Sequence, residues 1–232
     1  MTIAIVSAMQ EELAAVLALM PDEQKQIAAG REFWLGHLHG QEVVAVLSRI
    51  GKVAAATTAT LLIERFGVSR IVFTGVAGGL APGVNVGHVV VADSFLQHDL
   101  DASPIFPRWE VPLYGVSRFA ADVALSATLA AAVHAALPGT TLHHGLLISG
   151  DRFVSTTTES RALQAALPEA LAVEMECAAF AQVCHDYDVP FAAVRTISDR
   201  ADDDAHGDFT RFVEEVASRH SAAIVAALLR LL

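Results

Sequence analysis

The sequence predicts an α/β domain built on a mostly parallel sheet with helices covering both faces. Three observations carry that expectation. Short apolar runs alternate with stretches of helical spacing along nearly the whole chain, with one hairpin near the start. Hydrophobic residues make up 53% of the 232 and charged residues only 18%, which allows a large core and excludes disorder. No repeat, low-complexity tract or linker divides the chain, so residues 1–232 read as one domain.

Thr2–Ser7 is a short apolar strand, and Gln10–Met20 follows at helical spacing with Leu13, Val16 and Leu17 on one face. Glu12 therefore lies in the first turn of a helix directly after a strand, where ligands bind in open α/β sheets. An acid there also complements the helix dipole, a role that suits Glu11 and Glu12 equally. Phe33–Leu38 and Glu42–Ser48 flank His39-Gly40-Gln41 as a hairpin. Arg49-Ile50-Gly51-Lys52 leads into a helix over Val53–Phe66, with Ala55, Ala56, Leu61 and Leu62 inward and Gly67 closing it. Gly51-Lys52 is not a phosphate loop, because Val46 and Val53 occupy the positions of its first glycine and its metal-binding Ser or Thr. Arg70–Thr74 is a buried strand. After it, Gly75-Val76-Ala77-Gly78-Gly79-Leu80 reads as a loop whose glycines let backbone N–H groups approach a ligand. The loop lacks the GxGxxG pattern, and no helix opens directly behind it, so a dinucleotide fits poorly.

His88–Ser94 is the next strand, and Gln97–Pro112 a long loop bearing His98, Asp99, Asp101, Phe106, Pro107, Trp109 and Pro112. Loops of that length are usually functional or bridge subunits. Arg118–Leu137 is an alanine-rich helix ended by Pro138-Gly139, and Leu142–Ser149 is a strand running into Gly150-Asp151-Arg152-Phe153-Val154. Phe153, just past the strand end, either offers a ring face to a planar base or packs into the core. Thr156–Leu167 is helical. A strand-to-helix passage then places Glu174 and Glu176 inside an apolar run, on one side of an extended backbone but well apart around a helix. Buried acids need partners. Glu176 either serves the first turn of the helix beginning at Cys177 or finds its partner in bound ligand hydroxyls. Asp199 ends the apolar run Phe191–Ile197, Asp202-Asp203-Asp204 reads as a solvated turn, and Phe209–Leu232 as the terminal helix.

A net charge of -11 with no basic cluster argues against nucleic acid or an anionic membrane as partner. The first residues lack the basic region of a signal peptide, and no run of 18 apolar residues suggests a membrane span. Cys177 and Cys184 lie seven apart on one helix face and read as buried thiols in a reducing cytoplasm. The ten histidines are scattered, His37, His39, His143 and His144 reading as strand-surface residues, and no metal-ligand cluster is expected. Acyl transfer is excluded because Ile148-Ser149-Gly150 lacks the upstream glycine of a nucleophile elbow. Glu12, Gly75–Gly78, Phe153, Glu174, Glu176 and Asp199 remain, all at expected strand ends. Carboxylates flanking a sugar suit cleavage at an anomeric carbon: one acid protonates the leaving group and another draws a proton from water.

Six segments then resemble one family in order and spacing. They are Ala8-Met9-Gln10-Glu11-Glu12, Ile50-Gly51-Lys52-Val53-Ala54-Ala55, Thr74-Gly75-Val76-Ala77-Gly78-Gly79-Leu80-Ala81-Pro82, Ser149-Gly150-Asp151, Val173-Glu174-Met175-Glu176 and Ile197-Ser198-Asp199. The chain resembles, nearly from end to end, the 5′-methylthioadenosine/S-adenosylhomocysteine nucleosidases of the nucleoside phosphorylase superfamily. That resemblance implies a three-layer α/β/α fold with a mixed central sheet, a homodimer, a small nucleoside substrate and no cofactor. It implies hydrolysis of the N-glycosidic bond of 5′-modified adenosines. Asp199, assisted by Ser198, would protonate N7 of adenine, and Glu12 would be the base for water that Arg195 helps to orient. Glu176 would bind the ribose hydroxyls and Met175 press on the sugar. Phe153 and the backbone of Val154 would hold the base, and Val76, Ala77, Gly78 and Glu174 would also line the site. Met9, Ile50 and Phe209 would form the 5′ pocket, with Phe106 and Pro112 lent by the other subunit.

Two features depart from the family. Val76 replaces a serine found in many relatives, and the 102–112 segment differs in length and composition. Both bear on whether the 5′ group is methylthio, homocysteinyl, plain deoxy or a bulkier futalosine type. A phosphorylase of the same fold, with Arg49 and Arg195 as phosphate ligands, and a nucleoside-binding protein without turnover are the competing readings.

Overall fold

A computed structural model of the chain describes residues 1–212, 216 and 218–232. The chain opens with β1 (Ile3–Ser7) and α1 (Gln10–Leu17), then forms β2 (Gln24–Ala28), β3 (Arg31–Leu38) and β4 (Gln41–Leu47) before α2 (Lys52–Glu64). β5 (Arg70–Gly79), β6 (Val89–Gln97) and the short β7 (Phe119–Ala120) precede α3 (Val123–Ala136) and β8 (Leu142–Ser149). Then come α4 (Thr157–Ala166), β9 (Ala170–Glu174), α5 (Cys177–Asp186), β10 (Phe191–Asp199), α6 (Ala205–Phe212) and α7 (Ser218–Leu231). The terminal helix expected over Phe209–Leu232 is described as part of α6 and as α7; its residues 213–215 and 217 lie outside the described residues. Among the described residues, no helix is long and apolar enough to cross a membrane.

The strands form one sheet in the order β10-β6-β8-β9-β5-β1-β4-β3-β2, with β7 on β6 and β10 also paired to β5. β5, β10, β6, β8 and β9 thus close into a ring, from which β1, β4, β3 and β2 extend as a wing. Five pairings are parallel and five antiparallel. The sheet is therefore mixed, not mostly parallel as the alternation of elements suggested. A strand buried on both faces reads as an apolar run whichever way its neighbours point. β1 is buried throughout. Its Ala4 and Val6 pack in the core with α2 and α5, while Ile3 and Ile5 pack with α1, α3 and α7. Side chains on alternate faces of one strand thereby join the three layers.

Four local features differ from the expected elements, the one at α2 only in degree. β2 was not expected: four of its five residues are exposed, and it forms the polar edge of the wing, so no apolar period marks it. α3 starts later than Arg118, because β7 pairs first with β6 and the Asp122 carboxylate then caps the helix by accepting the Leu125 N–H at 2.7 Å. α2 buries Ala55, Thr58, Ala59 and Leu62, with Ala56 and Leu61 only partly buried against the same core. β5 runs on through Gly75–Gly79, so the expected glycine loop is strand.

That extension creates a fork. β10 lines one edge of β5 as far as Gly78. On the other edge β1 pairs with residues 70–73, whereas β9 pairs with Gly78 and Gly79. Residues 74–77 lie where these two neighbours part, the kind of switch point at which α/β sheets bind ligands.

Candidate active site

A cavity of about 400 Å³ opens at the fork. Ala8 and Met9, just past β1, form one wall, and Val76, Ala77 and Gly78 of β5 form the floor. Val173, Glu174, Met175 and Glu176 come from the end of β9, and Ser198 and Asp199 from the end of β10. Ile50, Phe153, His206 and Phe209 complete the lining.

Glu12 lies behind this wall and does not line it. Glu11 is exposed, but Glu12 is fully buried, so the two acids of the first turn are not equivalent. Its Oε2 accepts the Met9 N–H at 3.2 Å, capping its own helix, while Oε1 has no hydrogen-bond partner among the described residues. Burial pushes its pKa up to about 7, against the pull of the nearby Arg195 guanidinium.

Glu174, not Glu176, serves the start of α5. Its carboxylate accepts N–H groups from Glu176 at 3.1 Å and Cys177 at 3.0 Å, and the Ser149 hydroxyl closes on Oε1. Arg195 Nη2 donates to its Oε2 at 2.9 Å, an ion pair almost wholly withdrawn from solvent. The guanidinium also lies over the Phe73 ring at 4.2 Å and does not itself line the cavity. Glu176 is 5% exposed and turns toward the cavity, its Oε1 accepting the Gly51 N–H at 2.9 Å. Burial and the adjacent Glu174 charge push its pKa up to about 8.

The β5 glycines make room for charged neighbours. Arg195 stands beside Gly75 in the β10–β5 register, and Asp199 beside Gly78. A Cβ at Gly75 would lie 3.2 Å from Arg195 Nη1 and 3.5 Å from Glu12 Oε1, and one at Gly78 only 2.9 Å from Asp199 Oδ1. Ser198 Oγ donates to Asp199 Oδ2 at 2.8 Å, and the Ala201 N–H donates to Oδ1 at 2.8 Å. Phe153 meets Phe209 edge-on, centroids 5.6 Å apart, and stays 39% exposed.

Met9, Ile50, Val76, Ala77, Gly78, Phe153, Glu174, Met175, Glu176, Ser198, Asp199 and Phe209 therefore share one cavity. Val154 packs its side chain in the core behind it, and half-buried Phe106 and Pro112 lie outside the lining. Sequence reasoning missed Ala8, Val173 and His206. The first two are small apolar residues with no signal of their own. His206 precedes Phe209 by three residues, a helical spacing that puts both on one face and could have found it.

Fold and cavity define a protein of the phosphorylase superfamily, and the model of that family matches residues 2–230. A 5′-methylthioadenosine/S-adenosylhomocysteine nucleosidase from Geobacillus thermodenitrificans is 38% identical over 231 residues, covering 99% of this chain and 96% of that one. The Neisseria meningitidis 5′-methylthioadenosine/S-adenosylhomocysteine nucleosidase, solved in complex with methylthio-immucillin-A, superposes with a TM-score of 0.95 at 34% identity, covering 100% of this chain and 99% of that one. The futalosine hydrolase of Helicobacter pylori superposes at 0.92 with 32% identity, covering 100% and 98%. The chain belongs to the phosphorylase superfamily and, within it, to the family of the 5′-methylthioadenosine/S-adenosylhomocysteine nucleosidases.

Proposed function

We propose that the protein hydrolyses the N-glycosidic bond of 5′-modified adenosines (5′-methylthioadenosine, S-adenosylhomocysteine and 5′-deoxyadenosine), releasing adenine and the free 5′-substituted ribose. The observation that carries this reading is the pair of acids set along one stretch of β5, Glu12 Oε1 against Gly75 and Asp199 Oδ1 against Gly78. Water attacks the anomeric carbon and gives its proton to Glu12. The C–N bond breaks toward the purine, and Asp199 hands N7 a proton. The unpartnered Glu12 Oε1, Ser7 Oγ and Arg195 Nε are buried polar atoms of the kind that ordered water satisfies.

In this reading Ser198 orients Asp199, and Glu176 accepts the ribose hydroxyls that its apolar surroundings otherwise deny it. Met175 bears on the sugar. Phe153 and the Val154 backbone hold the base, while Met9, Ile50 and Phe209 receive the 5′ group. Arg195 helps to orient the water, its Nη1 standing with Glu12 Oε1 beside Gly75, and its ion pair with Glu174 fixes the turn from which Glu176 projects. The enzyme works as a homodimer in the cytoplasm, with Phe106 and Pro112 reaching the neighbouring subunit's 5′ pocket. Support comes from the 82% exposed Ile105 and 91% exposed Leu113 on that segment, and from the free, buried Cys177 and Cys184. Sedimentation that finds a monomer overturns the dimer.

Phosphorolysis fits less well. Arg49 donates to the Gly30 carbonyl and Arg195 to Glu174, and among the described residues the cavity lining holds no Lys or Arg to receive phosphate. Ionised Glu12 would also repel that anion, by several kcal/mol at ~4 Å and an effective dielectric near 20. A futalosine-type 5′ group is a second reading, favoured by the structural likeness to futalosine hydrolase. The test is to incubate the protein with the three adenosines and futalosine, without phosphate, and quantify free purine base. Release from the adenosines supports the proposal, and release from futalosine alone selects the second reading. Binding without release rejects hydrolysis, as does activity that requires phosphate and yields ribose 1-phosphate.

A further inference from the structure

We propose that Asp151 is a positioning residue for the sugar: its carboxylate pins the N-terminus of α2 so that the Gly51 N–H is held on Glu176. The inference rests on Glu176 binding the ribose hydroxyls. Gly51 is the residue from which α2 starts, and it has no side chain to cap the helix. The cap comes from a distant strand end instead, because the Lys52 N–H donates to Asp151 Oδ1 at 2.7 Å. The preceding N–H, that of Gly51, then points to Glu176 Oε1 at 2.9 Å. Gly51 has φ +93°, and a Cβ there would stand 3.1 Å from Asp151 Oδ1. Only glycine turns this corner without strain.

Asp151 is itself held. Its N–H donates to Asp99 Oδ2 at 2.8 Å, and Lys52 Nζ reaches Asp99 Oδ1 at 2.5 Å and Gln97 Oε1 at 3.1 Å. Lys52, Asp99 and Asp151 thus close a cycle that ties the start of α2 to the ends of β6 and β8. None of the three lines the cavity, so their effect on substrate passes through Gly51 and Glu176. The Gly51 N–H also favours the ionised form of Glu176, opposing burial and the Glu174 charge, and an ionised carboxylate is the better acceptor for sugar hydroxyls.

The test is steady-state kinetics of Asp151→Ala, Asp151→Asn and Glu176→Gln on 5′-methylthioadenosine and on its 2′,3′-dideoxy counterpart. Asp151→Ala is expected to raise KM for the ribonucleoside about 10-fold with kcat within about 3-fold. On the dideoxy substrate the penalty should shrink below about 2-fold, because the hydroxyls that Glu176 holds are gone. Asp151→Asn keeps an acceptor oxygen and should recover most of the loss. Equal losses on both substrates, or none on the ribonucleoside, overturn the proposal. If Glu176→Gln still distinguishes the substrates in that event, only the role of Asp151 falls. If Glu176→Gln does not distinguish them, the ribose assignment fails and this proposal with it. Should Asp151→Ala not fold, Asp99→Asn loosens Asp151 without removing it and is read in the same way.

Discussion

Glu12 loses its water shell without gaining a full set of donors, and its pKa rises from 4.5 to about 7 as a result. A base must be ionised to take a proton, so kcat/KM should climb with pH through about 7, and Glu12→Gln should remove that part of the rise while leaving the part that Glu176 contributes nearer 8. Glu12→Gln and Asp199→Asn should each lower turnover at least ~100-fold while circular dichroism shows an intact fold, and near-normal rates in either variant overturn that residue's role. Glu174 shows the opposite use of a buried acid. Arg195 and the first N–H groups of α5 fill its oxygens, so Glu174→Gln strips the partner from a buried guanidinium. The expected loss is about 3–5 kcal/mol, or roughly 10 °C in Tm, and a Tm within 2 °C or so of wild type contradicts it. The sequence displayed all of these acids, but neighbouring residues cannot say which of two carboxylates caps a helix. Glu11 and Glu12, or Glu174 and Glu176, are told apart by what lies across the fold.

Among the elements, β5 departed most from its expected form. Gly75, Gly78 and Gly79 signal a loop locally, yet they continue a strand because β10 lays Arg195 and Asp199 directly against them. Those side chains are about 120 residues away in sequence, beyond the reach of any local pattern. Gly78→Ala would place a Cβ 2.9 Å from Asp199 Oδ1 and 3.0 Å from Ala201 Cβ. It should cut kcat at least ~10-fold by displacing the acid, since small misplacements are costly at a reacting centre. Wild-type kcat in this variant would show that the strand gives way instead. β8, by contrast, matched its expected limits: Pro138-Gly139 before it and Gly150 after it are turn residues, and Leu146–Ile148 supply a buried apolar stretch, so it is legible without knowing its neighbours. β2 was invisible for the converse reason, being polar and exposed at the edge.

At the scale of the whole molecule, the alternation of apolar runs with stretches of helical spacing sufficed to indicate layered α/β architecture, whereas closure of five strands into a ring depends on pairings that no local pattern encodes. The two acids with raised pKa also tie overall stability to pH. The folded state holds protons on Glu12 up to about 7 and on Glu176 up to about 8, against 4.5 for both when unfolded. Their contribution is complete below pH 4.5 and is lost as pH rises through 7 and 8. For Glu12 the loss is on the order of 3 kcal/mol. Tm of the unliganded protein should therefore fall between pH 5 and pH 8, and Glu12→Gln should flatten that slope; an unchanged slope counts against Glu12 as its source. The ring has a further consequence for biosynthesis. β10 seats between β5 and β6 although it is the last strand translated. At usual ribosomal speeds both earlier strands wait roughly ten seconds with an open edge. A nascent chain stalled before Phe191 would carry unsatisfied strand borders and half a reaction centre, making it a natural client for chaperones and inert toward nucleosides.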